Sequence, residues 1–202
     1  MELQAHGRTN DRGTDLSFEQ DADDVAALME ILNIPKADVL GFSNGGCTLV
    51  ELALRHPGKV NKVIFASAIF KREAASPQFW EGFEKVTLEM MPQVLHEAYL
   101  KVNKNPDGLL NMFHKDVKRM MYFNGWADAR IASIRVPALI INGNHDVGSP
   151  EHAVHMFRTL PNCELAIFPG GHGNYLGTAE SVIDGKLPGF NALSLINEFL
   201  DK

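Results

Sequence analysis

Apolar residues recur along this chain in two alternating rhythms, one helical and one strand-like. Val25, Leu28, Met29 and Leu32 fall three and four apart, and Ser17-Phe18-Glu19-Gln20 ahead of them has the form of a capping box, so a helix is expected from about Phe18 to Asn33. Glu19, Asp21, Asp23 and Asp24 crowd its first turns, where carboxylates suit the positive end of the helix dipole; they read as a solvated face and not as a metal site. The short apolar run Ala37 to Phe42 predicts a buried strand. Thr48, Leu49, Leu52, Ala53 and Leu54 then give a helix face that ends near His56-Pro57-Gly58. Val60, Val63, Ile64, Phe65 and Ala66 predict a second buried strand, and strand, helix, strand implies a right-handed parallel crossover.

From about Lys71 to Ser133 the pattern becomes methionine- and aromatic-rich and helical, broken at Pro92, Pro106 to Gly108 and Asn124-Gly125. So many apolar side chains do not suit a free linker. A small helical cap over residues 71–133, inserted in a single domain of residues 1–202, is the expectation. Strand character returns at Val136, Ala138, Leu139, Ile140 and Ile141, a helix at Glu151 to Leu160, a strand at Leu165 to Phe168, and a last helix from about Phe190 to Leu200. The fold class is therefore α/β: a mostly parallel open sheet flanked by helices, with a helical insert.

The chain has 202 residues, of which 45% are hydrophobic and 22% charged, as suits one globular domain with a real core. A formal net charge of -6 disfavours nucleic acid or an anionic membrane surface as the main partner. No apolar run has the length of a membrane span and the N-terminus lacks a signal-peptide core, so a cytoplasmic location is expected. Cys47 and Cys163 form no disulfide framework and match no metal-ligand spacing; both read as small buried fillers. Glu151-His152 with His155 would place a metal pair one helical turn apart, but no third ligand fits, and a surface helix is expected there.

Ligands of open parallel sheets sit at the carboxyl ends of the strands, so polar residues just past each strand carry the functional signal. Three strand ends respond. The first delivers Ser43 within Gly41-Phe42-Ser43-Asn44-Gly45-Gly46, a Gly-x-Ser-x-Gly elbow between strand and helix. Side chains at Gly41 and Gly45 would collide across such a turn, and Gly46 would let the helix pack closely on the sheet. The second is followed by Asn144-His145-Asp146, and the third by Pro169-Gly170-Gly171-His172-Gly173. Asp146 has a rival position, the loop after Phe65-Ala66, which holds Ser67 and no acid before Glu73. His145 reads as a turn or gate residue.

Over nearly its whole length the sequence resembles the α/β-hydrolase superfamily. Gly-Phe-Ser-Asn-Gly-Gly is similar to that family's elbow, Leu-Ile-Ile-Asn-Gly-Asn-His-Asp to its acid strand and Pro-Gly-Gly-His-Gly to its histidine loop. The resemblance implies Ser43 as nucleophile, His172 as general base, Asp146 as the group that orients the imidazole, and the backbone N–H of Asn44 in the oxyanion hole. It implies a serine hydrolase of small esters or related carbonyl compounds, acting without metal or other cofactor on a small-molecule substrate.

In that family about three and a half further strands precede the point that corresponds to Met1. Met1-Glu2-Leu3-Gln4-Ala5-His6-Gly7-Arg8-Thr9 resembles the stretch at the end of the fourth strand, with Ala5 in place of a glycine. Two expectations follow: the elbow strand has an open edge that invites a homodimer, and the loop that supplies the second oxyanion N–H is missing. Losing one such donor costs roughly a hundred- to a thousandfold in rate. A catalytically weak or inactive hydrolase-fold protein, serving as a binding or assembly subunit, is accordingly the alternative function. A signal peptide in a missing front part would change the expected location.

Overall fold

The computed structural model describes residues 1–178, 181–182, 186 and 188–202. Four strands, β1 (Ala37–Phe42), β2 (Val60–Ala66), β3 (Ala138–Gly143) and β4 (Cys163–Phe168), form one parallel sheet in the order β1-β2-β3-β4. Around it lie α1 (Phe18–Ile31), α2 (Asn44–Arg55), α7 (Pro150–Thr159) and α8 (Leu193–Asp201). Between β2 and β3 the chain passes through α3 (Pro77–Phe83), α4 (Gln93–Val102), α5 (Pro106–Met121) and α6 (Asp128–Ile131).

Successive side chains of a strand point to opposite faces, and the core divides accordingly. Val63, Phe65, Ala138 and Ile140 join Phe18, Ala22 and Ala26 of α1, Val50 and Leu52 of α2, and Met156 of α7. Ile64, Ala66, Leu139 and Ile141 face the other way, onto Tyr175 and Phe199. Burying a side chain of this size contributes about 1.5–3 kcal/mol, so these two layers are what hold the strand ends in register.

Several local expectations are corrected. Ala37–Phe42 is not a buried strand: Leu40 is 46% exposed, because β2 is its single neighbour among the described residues, which is the open edge expected of the elbow strand. The capping box is half made: Ser17 Oγ accepts from the Gln20 N–H at 3.1 Å, while the Gln20 side chain turns away to Asp24. α1 stops at Ile31, two residues early, because Asn33 adopts φ 55° and the Ile34 N–H returns to the Met29 carbonyl at 2.8 Å. An asparagine in that left-handed position is a common helix stop. Cys163 opens β4 and is half-buried rather than buried.

The helical insert is closed at its base by an antiparallel bridge between Lys71 and Gly125 and by the Trp126 N–H bonded to the Phe70 carbonyl. Trp80 stacks on Phe123 at 5.8 Å between ring centroids, and Phe18 meets Phe123 edge-on, which packs the insert against α1. No helix among the described residues is long and apolar enough to cross a membrane.

Candidate active site

Ser43 occupies the junction of β1 and α2 with φ 55° and ψ -123°. A non-glycine residue rarely adopts positive φ, and holding it there costs on the order of 1–3 kcal/mol. Backbone bonds enforce it: the Ser43 N–H donates to the Ala66 carbonyl at 2.9 Å, and the Gly46 N–H donates to the Ser43 carbonyl at 2.9 Å. Serine at a helix start ordinarily caps the first turn with its hydroxyl. Here the side chain makes no capping bond, which leaves Oγ free for another task.

Two glycines make the turn possible. A Cβ on Gly41 would collide with the Gly45 carbonyl, and one on Gly46 with the Ala68 side chain beyond β2. Gly45 differs from expectation, since a Cβ there would meet nothing within 4 Å; the tight approach is made by its backbone, not by its missing side chain. Asn44 is the first residue of α2, so its N–H is among the donors that a helix start leaves without an internal partner.

His172 and Asp146 come from different strand ends. The Asn144 N–H donates to the Phe168 carbonyl at 2.8 Å, the His145 N–H to the Gly170 carbonyl at 3.0 Å, and the Gly170 N–H to Asn144 Oδ1 at 2.8 Å. These bonds lace the two loops together. His172 Nδ1 then lies 2.6 Å from Asp146 Oδ1, and the imidazole rests against the Phe42 ring, 4.7 Å between centroids. Because the carboxylate only accepts, Nδ1 carries the ring proton and Nε2 is left as the basic nitrogen.

The Asp146 side chain has no exposed surface. Burial by itself would raise its carboxyl, but hydrogen bonds from His172, Ser67 and the Gly143 N–H outweigh that and hold it below the ordinary carboxylate value. Ser67 Oγ donates to Oδ2 at 2.5 Å and the Val147 N–H to Oδ1 at 2.8 Å. The rival acid position is thus a hydroxyl donor to the acid it might have replaced.

Ser43, Asn44 and His172 line one cavity of about 420 Å³. Its remaining walls are largely apolar and come mostly from the insert, among them Phe79, Phe83, Met90, Met91, Phe113 and Met120. Asp116 of α5 is the one acid in that wall, with its two oxygens on His6 and Arg119. Ser43 Oγ and the His172 ring share the cavity without a hydrogen bond to each other; such bonds commonly tighten only around bound substrate. His145 is exposed on its loop.

His152 is buried with Nε2 accepting the Phe70 N–H at 2.9 Å, and His155 pairs with Asp128 at 3.0 Å. No group of three or more His, Cys, Asp or Glu side chains suited to a metal ion occurs among the described residues.

The fold agrees with the comparisons. Residues 3–116 match the model of the alpha/beta hydrolase fold family, and the chain belongs to that family. It is 25% identical to the AB hydrolase superfamily protein YisY of Bacillus subtilis, across 90% of this chain and 76% of that protein. With the human serine hydrolase BPHL it shares 27% identity over 84% of its own length and 60% of the relative's. A pimeloyl-[acyl-carrier protein] methyl ester esterase of Neisseria meningitidis is 28% identical over 81% of this chain and 72% of the esterase. The crystal structure of an enol-lactonase from Burkholderia xenovorans superposes with a TM-score of 0.72 at 19% identity, covering 99% of this chain and 79% of the lactonase.

Proposed function

We propose that this chain is a serine hydrolase of small esters or closely related carbonyl compounds, working through an acyl-enzyme. The observation that carries the reading is the short His172–Asp146 bond beside a strained, uncapped Ser43 on one apolar cavity. In the first half-reaction, Ser43 Oγ attacks the carbonyl carbon while His172 Nε2 takes its proton. The carbonyl π pair moves onto oxygen, where the Asn44 N–H meets it. Collapse of the tetrahedral species breaks the bond to the leaving alkoxide, which receives the proton from Nε2. Water then repeats the attack on the acyl group with His172 again as base, releasing a carboxylic acid and restoring the serine hydroxyl.

Residues 71–133 act in this reading as a cap whose Phe79, Phe83, Met90 and Met120 favour an apolar acyl or alcohol group. The hydrolysis of a methyl ester, named for one relative, lies in the same reaction class, and no cofactor is invoked. The test is turnover of p-nitrophenyl acetate and butyrate by the full chain. Activity should vanish in Ser43→Ala while far-ultraviolet dichroism is unchanged; equal turnover in both forms would reject the reading.

β1 has no second neighbour among the described residues and Leu40 is exposed, which favours a second reading, an assembly subunit that pairs through this strand and binds without turning over. Light scattering of a dimer together with an inert Ser43 would support it.

A further inference from the structure

Behind Asp146 stands a buried chain of hydroxyls. Ser67 Oγ is 2.5 Å from Asp146 Oδ2 and 2.7 Å from the Tyr175 phenol, which is itself 2.9 Å from the Ile141 carbonyl. Counting protons fixes its direction. An ionised carboxylate has none to give, so Ser67 donates to Asp146 and its single proton is used. The phenol must then donate to Ser67 Oγ, sharing its proton with the Ile141 carbonyl, which already receives the Ser67 N–H at 2.8 Å. All dipoles point the same way: Tyr175 to Ser67, Ser67 to Asp146, and from the far side His172 to Asp146.

Neither residue is placed for packing alone. Ser67 is buried at the end of β2 with φ 51°, and its backbone N–H bond to β3 holds that costly conformation. Tyr175 has no exposed surface and sits three residues beyond His172, so its hydroxyl ties the histidine loop to β3. Burial pushes the phenol's ionisation upward, which keeps it a donor.

We propose that Ser67 and Tyr175 are positioning residues, which fix the plane of the Asp146 carboxylate and the place of the histidine loop so that the imidazole is held for reaction. The inference rests on the triad reading above. Donors on the far side of a carboxylate draw charge away from the oxygen that faces His172, so removing them strengthens its grip on an imidazolium proton. The other ionisable groups in this region are His145, exposed on its loop, and Asp116, across the cavity and held by His6 and Arg119.

The experiment uses the full chain as Ser67→Ala, Ser67→Gly and Tyr175→Phe. Two readouts are taken: the pH profile of kcat/KM on p-nitrophenyl butyrate, and the titration of the His172 ring by NMR, which needs no turnover. Both Ser67 variants should lower kcat/KM roughly tenfold to a hundredfold and raise the His172 midpoint by about half a unit to one unit. Tyr175→Phe should shift it in the same direction by less. Glycine relieves the positive φ without restoring a hydroxyl, so a Ser67→Gly protein with wild-type rate and midpoint would overturn the proposal, as would an unmoved or lowered midpoint in all three. If Ser43→Ala and His172→Ala leave hydrolysis intact, the triad reading fails instead, and the NMR midpoint still decides whether the relay acts on His172.

Discussion

His172 Nδ1 and Asp146 Oδ1 lie 2.6 Å apart, with the carboxylate fully shielded and the ring still partly open to the cavity. That asymmetry matters because a buried anion can hold the imidazole in one tautomer while leaving Nε2 accessible. Asp146→Asn would keep the size of the side chain but offer an amide in place of a pure acceptor. Its kcat should fall by about a thousandfold or more, with the melting temperature shifting far less in relative terms. Steady-state kinetics beside calorimetry checks this.

How far could this site be read from the chain alone? The strand ends and their order were legible, because an apolar run followed by a glycine turn and a polar residue is a local signal. What lay outside its reach depends on neighbours in space. Leu40 is exposed although its run reads as buried, since exposure is set by what stands beside β1. The loop after β2 offers Ser67 and no acid before Glu73, and only the approach of Asp146 from 79 residues away gives Ser67 a role. Tyr175 and Asp116 carry no motif at all.

The elbow glycines should separate cleanly. Gly45→Ala fills open space within the first turn of α2 and should be tolerated or stabilise by up to about 1 kcal/mol. Gly41→Ala forces a Cβ into the Gly45 carbonyl and should cost several kcal/mol, roughly the upper range of single substitutions. Urea unfolding midpoints of the two variants test the contrast.

Acid should weaken the fold through His152. Burial and the like charge of His155 push its midpoint down to about 4, while an unfolded chain would titrate near 6.5. A group whose folded midpoint is depressed contributes full stability above the unfolded value and loses it as pH falls toward the folded one. Stability should therefore drop between about pH 6.5 and pH 4, by at most about 3 kcal/mol from this residue. Denaturation across that window should show a shallower slope in His152→Gln, whose amide oxygen can still accept the Phe70 N–H.

His6 should act in the opposite sense. Its Nδ1 faces the Gln4 carbonyl at 2.8 Å and its Nε2 faces Asp116 at 2.9 Å, so both nitrogens need protons. Burial alone would lower its midpoint, but the hydrogen bond and charge of Asp116 and the Gln4 carbonyl outweigh it and raise the midpoint above the ordinary 6.5. The stabilising contribution is thus complete below that value and disappears as pH rises through the raised midpoint. His6→Ala should cost about 1–3 kcal/mol at pH 6 and less at pH 9, and denaturation at the two values measures the difference.

Labelling with a fluorophosphonate probe followed by peptide mass mapping asks whether Ser43 is a nucleophile driven by His172. One adduct is expected, on the peptide bearing Ser43, formed rapidly in the wild-type chain, slowly in His172→Ala and not at all in Ser43→Ala. A folded wild-type protein that stays unmodified, or one that is modified at a different serine, would contradict it.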